Sequence, residues 1–207
     1  MMSALAHGLL AGYGIAIPVG AISVLIVETG IRCGFRCASA AGAGAATADL
    51  VYSALAVTGG AAIASAISSV ETPFRYASAA VLMAMAVVGV VRAIRRRQPS
   101  SAAASVNVDR NELLRTYRTF VGLTILNPLT VIYFTVFVVG SGLAAGLSAA
   151  EGAVFVGAAF VASLSWQTAL AAVGGMAHSS LPARFRIGAS IVGNLVVAGL
   201  AVLVALR

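Results

Sequence analysis

Long apolar runs separated by short charged stretches divide this chain into six segments, at about 4–27, 38–67, 76–94, 119–140, 150–175 and 187–206. Each is close to or beyond the roughly 20 residues that an α-helix needs to cross a bilayer. The second run is overlong, so its helix ends near Gly59-Gly60 or tilts. Composition supports the same reading. Of 207 residues 60% are hydrophobic and 9% charged, whereas a water-soluble domain carries roughly 25% charged residues. The pattern predicts an all-α membrane protein forming one transmembrane domain over residues 1–207.

The few charges then report topology. All thirteen basic residues are arginines. Eleven of them fall in the connections after the first, third and fifth runs: Arg32 and Arg36; Arg92, Arg95, Arg96, Arg97, Arg110, Arg115 and Arg118; Arg184 and Arg186. Because Lys and Arg concentrate in short cytoplasmic loops, these connections are expected inside, with both termini outside a cytoplasmic membrane. Only Arg75 and Arg207 lie on the other side. The net charge of +7 is therefore no sign of a nucleic-acid binder, which needs a basic water-exposed face with stacking aromatics. The N-terminal Met1-Met2-Ser3-Ala4-Leu5-Ala6-His7 lacks the basic region of a secretory signal, so the first span is expected to be retained. A polar, low-complexity stretch at residues 95–105, within a cytoplasmic linker of about 95–118, divides the chain into halves at about 4–94 and 119–206. Its Arg95-Arg96-Arg97 run reads as a topology anchor before it reads as a site for anionic lipid headgroups.

Three spans in each half force the second half to enter the membrane in the opposite sense, which predicts a 3+3 inverted-topology repeat. Gly12-Tyr13-Gly14-Ile15-Ala16-Ile17-Pro18 is echoed by Gly122-Leu123-Thr124-Ile125-Leu126-Asn127-Pro128, and Gly59-Gly60 by Gly174-Gly175. A proline inside a spanning helix removes one backbone donor and frees the carbonyl four residues earlier, Gly14 for Pro18 and Thr124 for Pro128. In hydrocarbon such a carbonyl needs a neighbouring helix, a side chain, water or a ligand. Two breaks in corresponding positions are the sequence pointer to a transporter site.

Asp49 lies about eleven residues into the second run, on the order of 16 Å deep at 1.5 Å per residue, and is the only carboxylate at that depth. An ionised Asp there costs several kcal/mol unless it meets water or a partner, so it reads as a substrate or proton-coupling group. Tyr52 shares its helix face, within reach of the carboxyl or of the same cavity. Asn127 offers a donor and an acceptor at the second break, to substrate or to the half-helix end. Trp166 and Gln167 are further candidates to face the cavity. Glu28 is expected to pair locally with Arg32, four residues on. Small residues four apart, Gly8 with Gly12, Ala38 with Gly42 and Ala153 with Gly157, permit close crossings within the bundle first and between copies second. Cys33 and Cys37 are expected as reduced thiols, and His7 and His178 have no neighbours at metal-ligand spacing, so no metal is expected.

Several of these segments resemble the LysE/RhtB family of amino-acid exporters: Pro18-Val19-Gly20, Gly30-Ile31-Arg32-Cys33-Gly34-Phe35-Arg36, Gly44-Ala45-Ala46-Thr47-Ala48-Asp49-Leu50-Val51-Tyr52, and Phe120 to Pro128 with its terminal Asn127-Pro128. The resemblance covers nearly the whole chain. It implies a six-helix inverted-repeat exporter driven by the proton gradient, without cofactor, moving amino acids or related metabolites outward. The site residues it implies are Pro18, Gly20, Asp49, Asn127 and Pro128. The chain departs from the family pattern at Ala21, where a second proline is usual, and at Leu129, where a lysine is usual, which leaves the substrate's charge open.

Other classes fit less well. A passive small-solute channel of the aquaporin kind also has two three-helix halves, but it carries two Asn-Pro motifs and this chain has one. A thiol-disulfide carrier needs cysteines in both halves, and here both lie in one loop. An enzyme needs a His, Ser or carboxylate constellation that the sequence does not offer.

Overall fold

The computed structural model describes residues 1–17, 20–95, 109–127, 130, 133, 134, 137 and 147–206, and all regular structure among them is helical. The elements are α1 (Met2–Ala16), α2 (Ala21–Cys33), α3 (Phe35–Arg95), α4 (Arg110–Ile125), α5 (Ala149–Ser180) and α6 (Ala183–Leu206). Thr130, Tyr133, Phe134 and Phe137 are helical between α4 and α5.

The expected first span is two helices. α1 ends at Ala16, two residues before Pro18, and α2 starts after Gly20, whose backbone is extended at φ −107° and ψ −176°. The axes of α1 and α2 differ by 73°. Pro18 itself, like Pro128, lies outside the described residues. α2 stops at Gly34, where φ is +89°, a conformation that costs glycine least because it has no Cβ.

α3 runs for 61 residues with Pro73 inside it. Straight, it would be on the order of 90 Å long, about three times the hydrocarbon thickness. Asp49 and Ser78 nevertheless line one cavity, so the run doubles back between them. Its two arms, Phe35–Gly59 and Tyr76–Ile94, are each long and apolar enough to span, at the places of the expected second and third spans. α5 and the Phe185–Leu203 part of α6 also qualify. Among the described residues there are thus four candidate spans, or five with the bent α1–α2 pair.

The expected 119–140 span is described only in part, residues 119–127 with Thr130, Tyr133, Phe134 and Phe137. α4 begins at Arg110, inside the stretch read as linker, and stops at Ile125. Asp109 at its start accepts the amides of Glu112 and Leu113 on its backbone carbonyl, and Glu112 sits in the first turn, where a carboxylate complements the helix dipole. The polar residues 96–108 lie outside the described residues. α5 opens with a capping box: Ser148 Oγ accepts the Glu151 amide at 3.3 Å and Glu151 Oε2 accepts the Ser148 amide at 3.2 Å.

Small residues set the packing, as expected where lipid gives apolar side chains no reason to prefer one another. Gly8 and Gly12 let α1 lie on α5; a Cβ on Gly12 would sit 2.7 Å from the Ala162 side chain. Gly30 of α2 meets Gly174 of α5 so closely that a Cβ on it would come within 2.7 Å of the partner Cα. α1 and α2 therefore follow α5 in one direction, with the break accommodated alongside it. Gly42 packs against Gln167, and Gly44 against the backbone of Tyr117. Gly157 has nothing within 4 Å of where its Cβ would be, so the third small-residue pair marks no crossing here. Cys33 and Cys37 are joined in a disulfide across Gly34, with Cα atoms 6.0 Å apart, which corrects the expectation of free thiols. The turn at Gly34 ends one helix and starts the next with the two side chains still one helical turn apart.

Candidate functional site

The buried stripe of the first α3 arm runs Ala38, Ala41, Ala45, Asp49, Tyr52, Ala56, the spacing of one helix face. The carboxyl of Asp49 is thus carried inward by the same periodicity that buries its alanine neighbours, and it is only 5% exposed. α5 meets it there: Ser163 Oγ, fully buried, donates to Asp49 Oδ2 at 2.6 Å. Among the described residues Asp49 has no salt-bridge partner.

Asp49 opens on a cavity of about 360 Å³ to which every helix contributes. Ile15 and Ala16 come from α1, Gly20 from the break, Ala21 to Ser23 from α2, Ser78 and Leu82 from the second α3 arm, Thr124 from α4, Asn127 from beyond it, Gln167 from α5 and Leu200 from α6. The two helix breaks therefore meet at one place: Gly20, two residues after Pro18, and Asn127, next to Pro128, are both in this wall.

The end of α4 shows how the second break is held. The Thr124 carbonyl, expected to be freed, accepts the Asn127 amide at 3.1 Å in a tightened last turn. The carbonyls of Ile125 and Leu126 are taken instead by side chains from α3: the Tyr52 hydroxyl donates to Ile125 and the Ser78 hydroxyl to Leu126. Tyr52 thus spends its hydroxyl on the helix end rather than on Asp49. Thr47 receives the Tyr117 hydroxyl at 3.1 Å, a second tie between α4 and the first α3 arm.

Gln167 and Thr124 stand in the cavity wall with buried oxygens, Oε1 and Oγ1, that have no hydrogen-bond partner among the described residues. Trp166, the other candidate on that turn, does not line the cavity. Sequence reasoning missed Ser163, Ser78 and the side chain of Thr124, whose carbonyl alone it singled out. The one available signal was the cluster Ser163, Ser165, Trp166, Gln167 and Thr168, unusually polar for the middle of an apolar run.

A second buried acid lies on α2. Glu28 accepts from Ser190 Oγ of α6 at 2.7 Å, while Arg32 Nε stands 3.9 Å away. Asn194, one turn along α6, donates to the Ser190 carbonyl at 2.8 Å and is almost fully buried against Gly89. The expected local pair with Arg32 is present, but the close partner comes from another helix. At the same end His178 Nδ1 lies 2.9 Å from the Ile31 carbonyl and Arg186 reaches the His178 carbonyl at 3.1 Å, tying α2 to the end of α5 and the start of α6.

No curated protein and no solved structure gives a match to the sequence. The family model for LysE type translocators matches residues 14–207, a stretch that takes in both helix breaks, Asp49 and every wall of the cavity. A bundle of apolar helices around a buried acid and two interrupted helices is what a translocator of small solutes requires, and the chain belongs to the LysE type translocator family.

Proposed function

We propose that this translocator is a proton-coupled exporter of amino acids or related small metabolites, built as a 3+3 inverted repeat with both termini outside the cytoplasmic membrane. One observation carries the reading: a buried carboxyl faces a solute-sized cavity at which two interrupted helices converge. A lone carboxylate in such a place can hold a proton or the ammonium group of a substrate, and not both at once. Substrate bound from the cytoplasm then leaves outward, a proton takes its place on Asp49, and the protonated carrier returns, so that each cycle exchanges one for the other. Ser163 fixes the position of the carboxyl by its hydrogen bond. The helix-held ends at Gly20 and Asn127 are the elements whose dihedral changes would open the cavity to one side or the other.

Counterflow of labelled amino acids in liposomes, with and without a proton gradient, tests this. Saturable exchange accelerated by the gradient, and lost with its gradient response in Asp49→Asn, is the expected result. Flux that does not saturate would instead make the protein a passive channel.

A further inference from the structure

The chain's two cysteines flank the elbow between α2 and α3. Gly34 is the whole connection: its amide closes α2 on the Gly30 carbonyl at 2.8 Å, and its carbonyl accepts the Ala38 amide at 3.3 Å to start α3. Cys33 is the last residue of α2 and Cys37 stands in the first turn of α3. Their disulfide therefore bridges the hinge itself.

The elbow joins two walls of the cavity. α2 contributes Ala21, Ile22 and Ser23, and the first α3 arm contributes Ala45 and Asp49. Otherwise α2 is held by contacts that can be parted and remade: Glu28 with Ser190, the Ile31 carbonyl with His178, and Gly30 against Gly174. The disulfide is covalent, and its reach is small. It confines two Cα atoms to about 4.4–6.8 Å, here 6.0 Å, whereas four residues free to extend reach about 13–14 Å. Oxidised, the elbow keeps its angle. With two thiols, the dihedrals of Gly34 are free to change and α2 can pivot against α3.

As a permanent staple the bridge would do little. It spans a sequence separation of 4, the short-loop end at which a cross-link constrains the unfolded chain least. Arg32 and Arg36 stand beside the pair, and in the orientation proposed above they face the cytoplasm, where thiols are kept reduced and the disulfides that do form are transient. Cys33 is half-buried and Cys37 fully buried. One sulfur is open to a reagent and the other waits behind it, as in a pair of attacking and resolving thiols.

We infer that Cys33 and Cys37 form a reversible thiol–disulfide site, at which a low-molecular-weight disulfide of the glutathione type locks α2 to α3 and slows the translocator. The Cys33 thiolate, its proton lost to water, attacks one sulfur of the small disulfide, whose S–S bond breaks and releases one thiolate. The Cys37 thiolate then displaces the second from the mixed disulfide. The protein pair is oxidised by two electrons and the small disulfide is reduced to two thiols; excess small thiol reverses both steps. The effect on flux rests on the export reading above, and the source of the oxidant on the orientation proposed with it.

The test begins with purified protein equilibrated in excess oxidised or excess reduced glutathione, its free thiols read by the mass added on maleimide labelling. The pair is expected to close in the first buffer and open in the second. Hydrogen exchange read by mass spectrometry is expected to be about fivefold faster across residues 21–33 in the reduced form, with the Tyr76–Ile94 arm unchanged. Counterflow of labelled amino acids in liposomes is expected to run about threefold faster from reduced protein. Cys33→Ser and Cys37→Ala, either of which removes the bond, should both match the reduced form in either buffer. A pair that stays bonded in excess reduced glutathione is a staple and overturns the inference, as does a pair that never closes in excess oxidised glutathione. Equal hydrogen exchange in the two forms overturns the lock, and equal counterflow overturns its control of flux. If no amino acid exchanges in either form the export reading falls, while thiol labelling and hydrogen exchange still decide the site and its lock.

Discussion

The broken end of α4 gives the sharpest test of how this fold holds its site. Two adjacent carbonyls, Ile125 and Leu126, accept no backbone amide among the described residues and take the hydroxyls of Tyr52 and Ser78 instead. Interhelical hydrogen bonds in membranes are worth about 0.6 kcal/mol on average and about 1.7 at most, because the separated helices find other partners. These two should fall at the upper end, since a carbonyl at a helix break has no intrahelical alternative, and an unsatisfied buried polar group costs about 1–3 kcal/mol. Tyr52→Phe and Ser78→Ala are each expected to destabilise by about 1–2 kcal/mol. Because both act on one turn, either loss lets that turn shift and weakens the other bond. The double variant should therefore cost less than the sum, with a coupling of about 0.5–1 kcal/mol. Thr58→Ala is the control: its hydroxyl returns to the Ala54 carbonyl of its own helix at 2.9 Å, and its loss should stay within about 0.5 kcal/mol. Equilibrium unfolding in a mixed-detergent titration measures all four. Single variants no different from Thr58→Ala, or a double variant at the plain sum, would refute the claim that the two hydroxyls jointly terminate α4.

Removing the donor to Asp49 should act only through Asp49: Ser163→Ala is expected to slow exchange several-fold, whereas adding it to Asp49→Asn should change nothing further, as double-variant transport rates will show. Gly30→Val forces side-chain atoms into the backbone of Gly174 and should cost about 1–3 kcal/mol; Gly157→Ala, with open space around it, should stay within about 0.5 kcal/mol in the same unfolding assay. At the second acid, Ser190→Ala should destabilise by about 1–2 kcal/mol because it strips the 2.7 Å bond from buried Glu28. Arg32→Ala should cost under about 1 kcal/mol, its side chain being one-third exposed and its Nε 3.9 Å away. A larger loss from Arg32 than from Ser190 would reverse the assignment of Glu28's partner.

What the sequence makes legible is set by range. Asp49 stands out because a carboxyl inside a long apolar run is costly wherever the fold places it, and the alanine stripe around it already says which way it points. The helix interruptions are legible too, because a proline acts on its own neighbours. Even here the rule of the carbonyl four residues back points to Thr124, while the last turn of α4 tightens and passes the need for a donor on to Ile125 and Leu126. Spacing alone cannot tell a crossing from a lipid face: Gly8 with Gly12 and Ala153 with Gly157 read alike, yet the first pair lies against α5 and Gly157 has open space around it. Partners across helices are the least legible. Arg32 is visible to Glu28 from four residues away, and Ser190, 162 residues on, is not. Serine inside a spanning helix can satisfy its hydroxyl on its own backbone, as Ser53 does on Leu50, so neither Ser163 nor Ser190 signals that it is held for an acid on another helix. The two carboxyls buried among the described residues, Asp49 and Glu28, are each met by a serine from the other half of the chain. These two contacts between the halves are short hydroxyl bonds, which can be broken and remade as the helices shift at far lower cost than a buried ion pair.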